Sequence, residues 1–149
     1  MTHIPLPDKK IIEFIKKHHV LTLATAEKNQ PWCSNCFYAY MEKENLFCFT
    51  SDEHTRHVQH LKNNNKVAAS IVLETKIIGK IQGLQLTGIV TEPEGELLKS
   101  VRNRFLKRFP YAILKDTSMW CLSPDFFKLT DNRLGFGKKL YWPNKSDVK

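Results

Sequence analysis

Apolar and polar positions along this chain follow two periods, and the switches between them divide it into short elements. From Asp8 to His18 the period is helical: Ile11, Ile12, Phe14 and Ile15 gather on one side, with Lys9, Lys10, Lys16 and Lys17 outside. From Val20 to Thr25 the period becomes two, Leu21 and Leu23 against Thr22 and Ala24, which predicts a strand. Glu27, Lys28, Asn29 and Gln30 form a polar turn, and Pro31 stands where a strand can begin. The aromatic-rich stretch Trp32 to Met41 predicts a second strand. Lys43, Glu44 and Asn45 turn the chain into a third, Leu46 to Phe49. A helix then starts around Thr55, Arg56 and His57 and ends at the polar run Asn63, Asn64, Asn65, Lys66.

The second half continues in the same manner. Val67 to Leu73 is largely apolar, which predicts a fourth strand buried on both sides. Leu84 to Thr91 predicts a fifth, with Gly79, Gly83 and Gly88 marking bends, bulges or close backbone approaches. Pro93 opens a longer helix to Phe109, with the stripe Leu97, Leu98, Val101, Phe105 and Phe109, and Pro110 ends it. Met119 to Leu122 and Phe126 to Thr130 read as two strands around Ser123-Pro124-Asp125, and Leu140 to Trp142 as a final one. There is no repeat, linker or low-complexity tract. Six or seven short strands with hairpin-like spacing and two or three helices predict an α+β domain built on a small closed or half-closed barrel. At 149 residues the whole chain, 1–149, is expected to be one domain.

Composition adds three points. The net charge of +8 is uneven: residues 1–100 carry 12 Lys and Arg against 11 Asp and Glu, residues 101–149 carry 11 against 4. A basic last third fits an anionic partner, such as a phosphorylated cofactor, a nucleic acid or an acidic protein, or else a solvated surface. No apolar run approaches a membrane span and MTHIPLPDKK lacks the apolar core of a signal peptide, so a soluble, cytoplasmic protein is expected. Cys33, Cys36, Cys48 and Cys121 lie in apolar surroundings that suit buried, reduced thiols. Residues three apart on a strand face opposite ways, so Cys33-x-x-Cys36 is not a metal or redox pair.

The stretch Leu46 to His57, LFCFTSDEHTRH, concentrates the candidate chemistry. Thr50 and Ser51 end a strand, and Arg56 lies just inside a helix. Hydroxyls and free N–H groups at a helix N-terminus, with a cation one turn inside, are the parts of an anion site. The same residue types are also preferred as ordinary helix caps. His54, His57 and His60 recur every three residues, which places His54 on the buried stripe with Val58 and Leu61, His57 beside it and His60 outward. Arg104, Lys107 and Arg108 share one helix face, read as solvated. Gly135-Phe136-Gly137-Lys138-Lys139 is either a bend into the last strand or a basic lid over an anionic cofactor.

A helix, three meandering strands, a short helix on the third strand and then more strands is similar to the pyridoxamine 5'-phosphate oxidase-like family, the FMN-binding split barrels. The stretches that carry the resemblance are His19 to Tyr40, Leu46 to Leu61, Lys66 to Glu74 and Leu84 to Val90, and it covers about residues 8–130. The tail Thr130 to Trp142 resembles a short branch of that family without an assigned reaction, the YhbP-like proteins. The resemblance implies a split β-barrel, a homodimer with FMN at the subunit interface, and a flavin-dependent oxidoreductase of unassigned substrate. It also implies phosphate contacts at Thr50, Ser51, Thr55, Arg56 and His57, a ring contact at Gln85, and possible added positive charge from Lys138. Ser34 and Ala39 stand where the oxidase itself has an Arg and a Lys, so oxidation of pyridoxamine phosphate is not expected. The rival class is a non-catalytic dimer that holds flavin or haem, with His54 or His57 as a haem ligand, or holds nothing.

Overall fold

The computed structural model describes residues 4–114 and 117–144. Asp8 starts the first helix, α1 (Lys9–Lys17), by accepting the Lys10 N–H on its carboxylate at 2.7 Å. β1 (Val20–Glu27) and β2 (Gln30–Met41) form a hairpin whose two turn residues, Lys28 and Asn29, have φ of 47° and 61°. Left-handed turn residues match the twist of the flanking strands, so this hairpin sets its register locally. β3 (Leu46–Ser51), α2 (Arg56–Asn63), β4 (Lys66–Val72), β5 (Gln82–Thr91), α3 (Gly95–Arg108), β6 (Ser118–Asp131) and β7 (Lys139–Trp142) follow.

All pairings are antiparallel, in the order β3-β2-β1-β4-β5-β6-β7. β3 also pairs with β6, from Phe47 opposite Leu122 to Ser51 opposite Ser118, which closes six strands into a ring. β7 extends from the later half of β6. The α+β barrel that the sequence predicts is therefore present, with seven strands and three α-helices among the described residues.

The ring encloses Leu21, Leu23, Tyr38, Phe47, Phe49, Ile71, Leu84, Leu122 and Phe127, all fully buried, and α1 adds Ile11 and Ile15. The Tyr38 hydroxyl donates to the Ile15 carbonyl at 2.6 Å, so α1 is tied to the barrel by a polar anchor as well as by packing. A smaller cluster lies outside the ring, where Val101 and Phe105 of α3 pack on Ala39, Leu46, Cys48, Met119 and Cys121. Burial pushes the Cys48 thiol up to about 12 and the Cys121 thiol up to about 11, with the neighbouring Cys121 adding to the effect at Cys48. Both are protonated packing residues at neutral pH.

Several expectations need correction. β4 is buried on one face only: Val67, Ala69 and Ile71 point inward, while Ala68 and Val72 are exposed. Its apolar run misleads because the outer positions carry Ala and Val, which suit a strand on either face. Met119 to Leu122 and Phe126 to Thr130 belong to one continuous strand, and Leu97 of the expected buried stripe is exposed on α3. Pro124 is tolerated inside β6 because the register shifts there, at a bulge opposite Gly88. Cys33 is exposed and only Cys36 of that pair is buried, as opposite faces of β2 require.

The bulge makes Gly88 indispensable. A Cβ there would overlap the Ser123 carbonyl oxygen and lie 2.9 Å from Pro124 Cα, both backbone atoms that cannot move aside. Gly88→Ala is expected to destabilise the barrel by about 1–3 kcal/mol or more, measured by chemical denaturation; an unchanged midpoint would show that the strands separate freely here.

Candidate cofactor site at the end of β3

β3 delivers Thr50 and Ser51 to the edge of the ring, where β6 fixes them opposite Met119 and Ser118. The turn beyond them is held by Asp52. Its carboxylate accepts the His54 N–H at 2.7 Å, and its carbonyl accepts the Thr55 N–H at 3.1 Å and the Thr55 hydroxyl at 2.7 Å. Thr55 occupies the N-cap position of α2, but its hydroxyl is turned back to Asp52 and caps no helix amide. The first N–H groups of α2 therefore have no side-chain cap, unlike those of α1. This departs from the ordinary cap reading of the same residues.

The underside of α2 is polar where it meets the barrel. His57 Nε2 and Ser51 Oγ share a hydrogen bond of 2.7 Å, and His60 Nδ1 and Thr25 Oγ1 share one of 3.0 Å, beside the buried Val58 and Leu61. The Trp120 indole N–H donates to the Ser51 carbonyl at 3.4 Å. Beneath this layer the Cys36 thiol lies by Ser51 and Ser34, and its pKa is raised by burial despite those hydroxyls. The Ser34 hydroxyl is buried and makes no hydrogen bond of acceptable geometry among the described residues. Burial holds the His57 pKa below 6.5, and the neighbouring His60 lowers it further. His57 is thus a neutral imidazole at neutral pH.

Arg56 projects the other way. Its guanidinium lies 4.5 Å from the centroid of the Trp32 ring, a stacked arrangement that leaves the edge N–H groups free, and no carboxylate pairs with it among the described residues. Asp52 and Glu53 are exposed on the same turn and reduce the local positive potential.

Of the residues singled out in the sequence, Thr50, Ser51, Thr55, Arg56 and His57 do come together. They divide into an inward pair, Ser51 and His57, a solvent side with Thr55 and Arg56, and Thr50, half-buried at the end of β3. Gln85 does not join them: it lies on the outer face of the sheet, in a cleft of about 340 Å³ bounded by Cys33, Ala68, Phe126 and Lys128. Lys138 is also apart, in the turn between β6 and β7, where its N–H donates to the Gly135 carbonyl at 2.9 Å. The GFGKK stretch forms the bend into β7. The histidine phase is corrected: His60 is buried and His54 is exposed, because α2 begins only at Arg56 and His54 precedes the helical repeat. Trp32 and Thr25, cross-strand partners in the first hairpin, were missed as site residues. The polar turn at Glu27 to Gln30 is the signal that would have paired them. Ala39 is fully buried under α3, so no longer side chain fits that position without displacing the helix.

A ring of this topology, with a helix seated at the end of the third strand, defines a split barrel. The chain belongs to the pyridoxamine 5'-phosphate oxidase family, whose model matches residues 7–130. It is 42% identical over 132 residues to a UPF0306 protein of Photorhabdus laumondii, covering 89% of this chain and 92% of that one, and is therefore a UPF0306 member. Among solved structures it is similar to a haem-binding protein of Mycobacterium smegmatis, with a TM-score of 0.74 and 21% identity. That match covers 86% of this chain and spans 54% of the other. It is also similar to an FAD-binding protein of Mesorhizobium loti, with a TM-score of 0.69, 13% identity, and coverage of 80% and 89%. These two likenesses concern the fold. No helix among the described residues is long and apolar enough to cross a membrane.

The neutral, buried His57 gives a pH dependence of known sign. The unfolded chain binds a proton at His57 below about 6.5 while the folded chain resists it, so stability is present above that pH and is lost as pH falls through it. Denaturant unfolding at pH 7.5 and pH 5.5 is expected to show this loss, and His57→Gln to show a smaller one. Equal losses in both proteins would place the titration elsewhere.

Proposed function

We propose that the protein binds FMN, with the phosphate at the start of α2, and acts as a flavin-dependent oxidoreductase. The observation that carries the reading is the uncapped N-terminus of α2 beside a carboxylate-free Arg56. Uncapped amides and a guanidinium fork together favour a phosphate monoester, which carries close to two negative charges at neutral pH. Thr55 adds a hydroxyl on the same turn, and Thr50 stands at the end of β3 just before it. Ser51 and His57 act from below: their hydrogen bond fixes the height of α2 against β3 and so the position of its amides.

A bound flavin supplies two-electron transfer, and the chain's contribution is to hold and orient it. Such transfer needs no protein nucleophile, which suits a site without one. Gln85, as a ring contact, and Lys138 in the β6–β7 turn, as added positive charge, reach the cofactor only across a homodimer in this reading, because within one chain they lie apart from the start of α2. Exposed Trp32, Phe37, Val72, Ile89 and Phe126 supply apolar outer surface for such a pairing. Uncharged Ser34 and buried Ala39 leave the phosphate with fewer cations than the oxidase itself uses, which supports a different substrate. A second reading, haem, draws on one observation: His54 is exposed one residue before the N-cap of α2, where its imidazole is free to be an axial ligand.

Arg56→Ala is expected to weaken FMN binding by about tenfold or more while riboflavin, which lacks the phosphate, binds nearly as before. Fluorescence titration of both ligands measures this, and equal losses would remove the phosphate assignment. Reduction of bound FMN by NAD(P)H or another donor supports the oxidoreductase; flavin inert to every donor supports a carrier.

A further inference from the structure

We propose that the cleft between the C-terminal ends of α1 and α3 is a second anion site, made for a small phosphate-type polyanion such as a diphosphate. It is independent of the flavin reading. The cleft has a volume of about 180 Å³ and is lined by Lys16, Tyr40, Arg104, Lys107 and Arg108. Four cations thus face one small space, and none of its described lining residues is a carboxylate. Glu42 reaches only its edge, where it pairs with Lys16 at 2.9 Å on exposed side chains.

The two guanidiniums are positioned by uncharged groups. Arg104 Nε donates to the Tyr40 carbonyl at 3.3 Å, which fixes the fork without neutralising it. Arg108 donates to the His18 carbonyl and, at 3.3 Å, to the Lys16 carbonyl, and it lies over the rings of Tyr38 and Phe109 at 5.4 and 5.5 Å. Arg104 and Arg108 are four residues apart on α3, a spacing at which like charges repel. Burial and Arg104 both disfavour the charge on Arg108, which Tyr38 partly offsets. Arg108 is half-buried while Lys16, Arg104 and Lys107 are exposed, and only Lys16 has a carboxylate partner among the described residues, so the like charges repel across the cleft unless an anion joins them.

The ordinary explanation, that cations complement a helix C-terminus, covers Lys16, Lys107 and Arg108, which lie in last turns or cap α1. It does not cover Arg104, one turn earlier and aimed into the cleft. The sequence alone reads Arg104, Lys107 and Arg108 as a solvated face; α1 and the end of β2 convert that face into a wall. The cleft is smaller than the roughly 300–1,000 Å³ of a drug-sized ligand site. Tyr40, the aromatic ring among the described lining residues, is buried and offers no face for stacking a base. Both facts favour a free small phosphate over a nucleotide or a nucleic acid.

Calorimetric titration of the full chain with pyrophosphate at low salt tests the assignment. A saturable site is expected that is weakened about tenfold by Arg104→Ala and by Lys107→Ala, on the scale of one charge-assisted hydrogen bond, and that persists in Arg56→Ala, which removes any pyrophosphate binding at the start of α2. These two cations are chosen because Arg108 also braces α1, and circular dichroism confirms that each variant is folded. Absence of saturable binding, loss on Arg56→Ala alone, or binding of a single-stranded oligonucleotide but not of pyrophosphate would each overturn the proposal.

Discussion

The pairing of β3 with β6 is the constraint on which the rest of the molecule depends. Without it the sheet is an open ribbon with an unpaired edge at β3. With it, Phe47 and Phe49 turn into a closed interior and Cys48 turns out under α3. Closure imposes its own demands. β6 must serve β5 and β3 at once, and the bulge at Gly88 and Pro124 lets it change direction between them. The last pairs of that ladder, Thr50 with Met119 and Ser51 with Ser118, are also what hold the start of the candidate site.

From that edge the chain builds the site with few parts. Ser51 and Thr25 offer hydroxyls from the ring, and His57 and His60 meet them from α2. A helix attached through His57 and His60 keeps Arg56 for the solvent side. Trp32 then supports the guanidinium by its face, so its donors stay directed outward. The arrangement supplies a rigid backbone and one well-placed cation, which suits orienting a phosphorylated cofactor better than catalysing a step with protein groups.

Much of this was legible in the sequence. The period-two run gives β1, the aromatic-rich stretch gives β2, the helical stripe gives α1, and the chemistry of Thr50 to His57 singles that stretch out. The failures have local physical causes. β4 carries apolar residues on an outer face, so its composition suggested double burial. His54 and His60 exchanged places because a helical phase was extended back before Arg56. Pro124 looked like a break, although a bulge opposite glycine accommodates it. Gln85 and Lys138 could be assigned a role only by resemblance, because nothing local to either residue places it beside α2.

The most direct test of the flavin account is the visible absorbance of the purified protein after saturation with FMN and removal of the excess. The account predicts a retained flavin band at one equivalent per chain. A protein that returns colourless, or that carries a Soret band and no flavin, would contradict it.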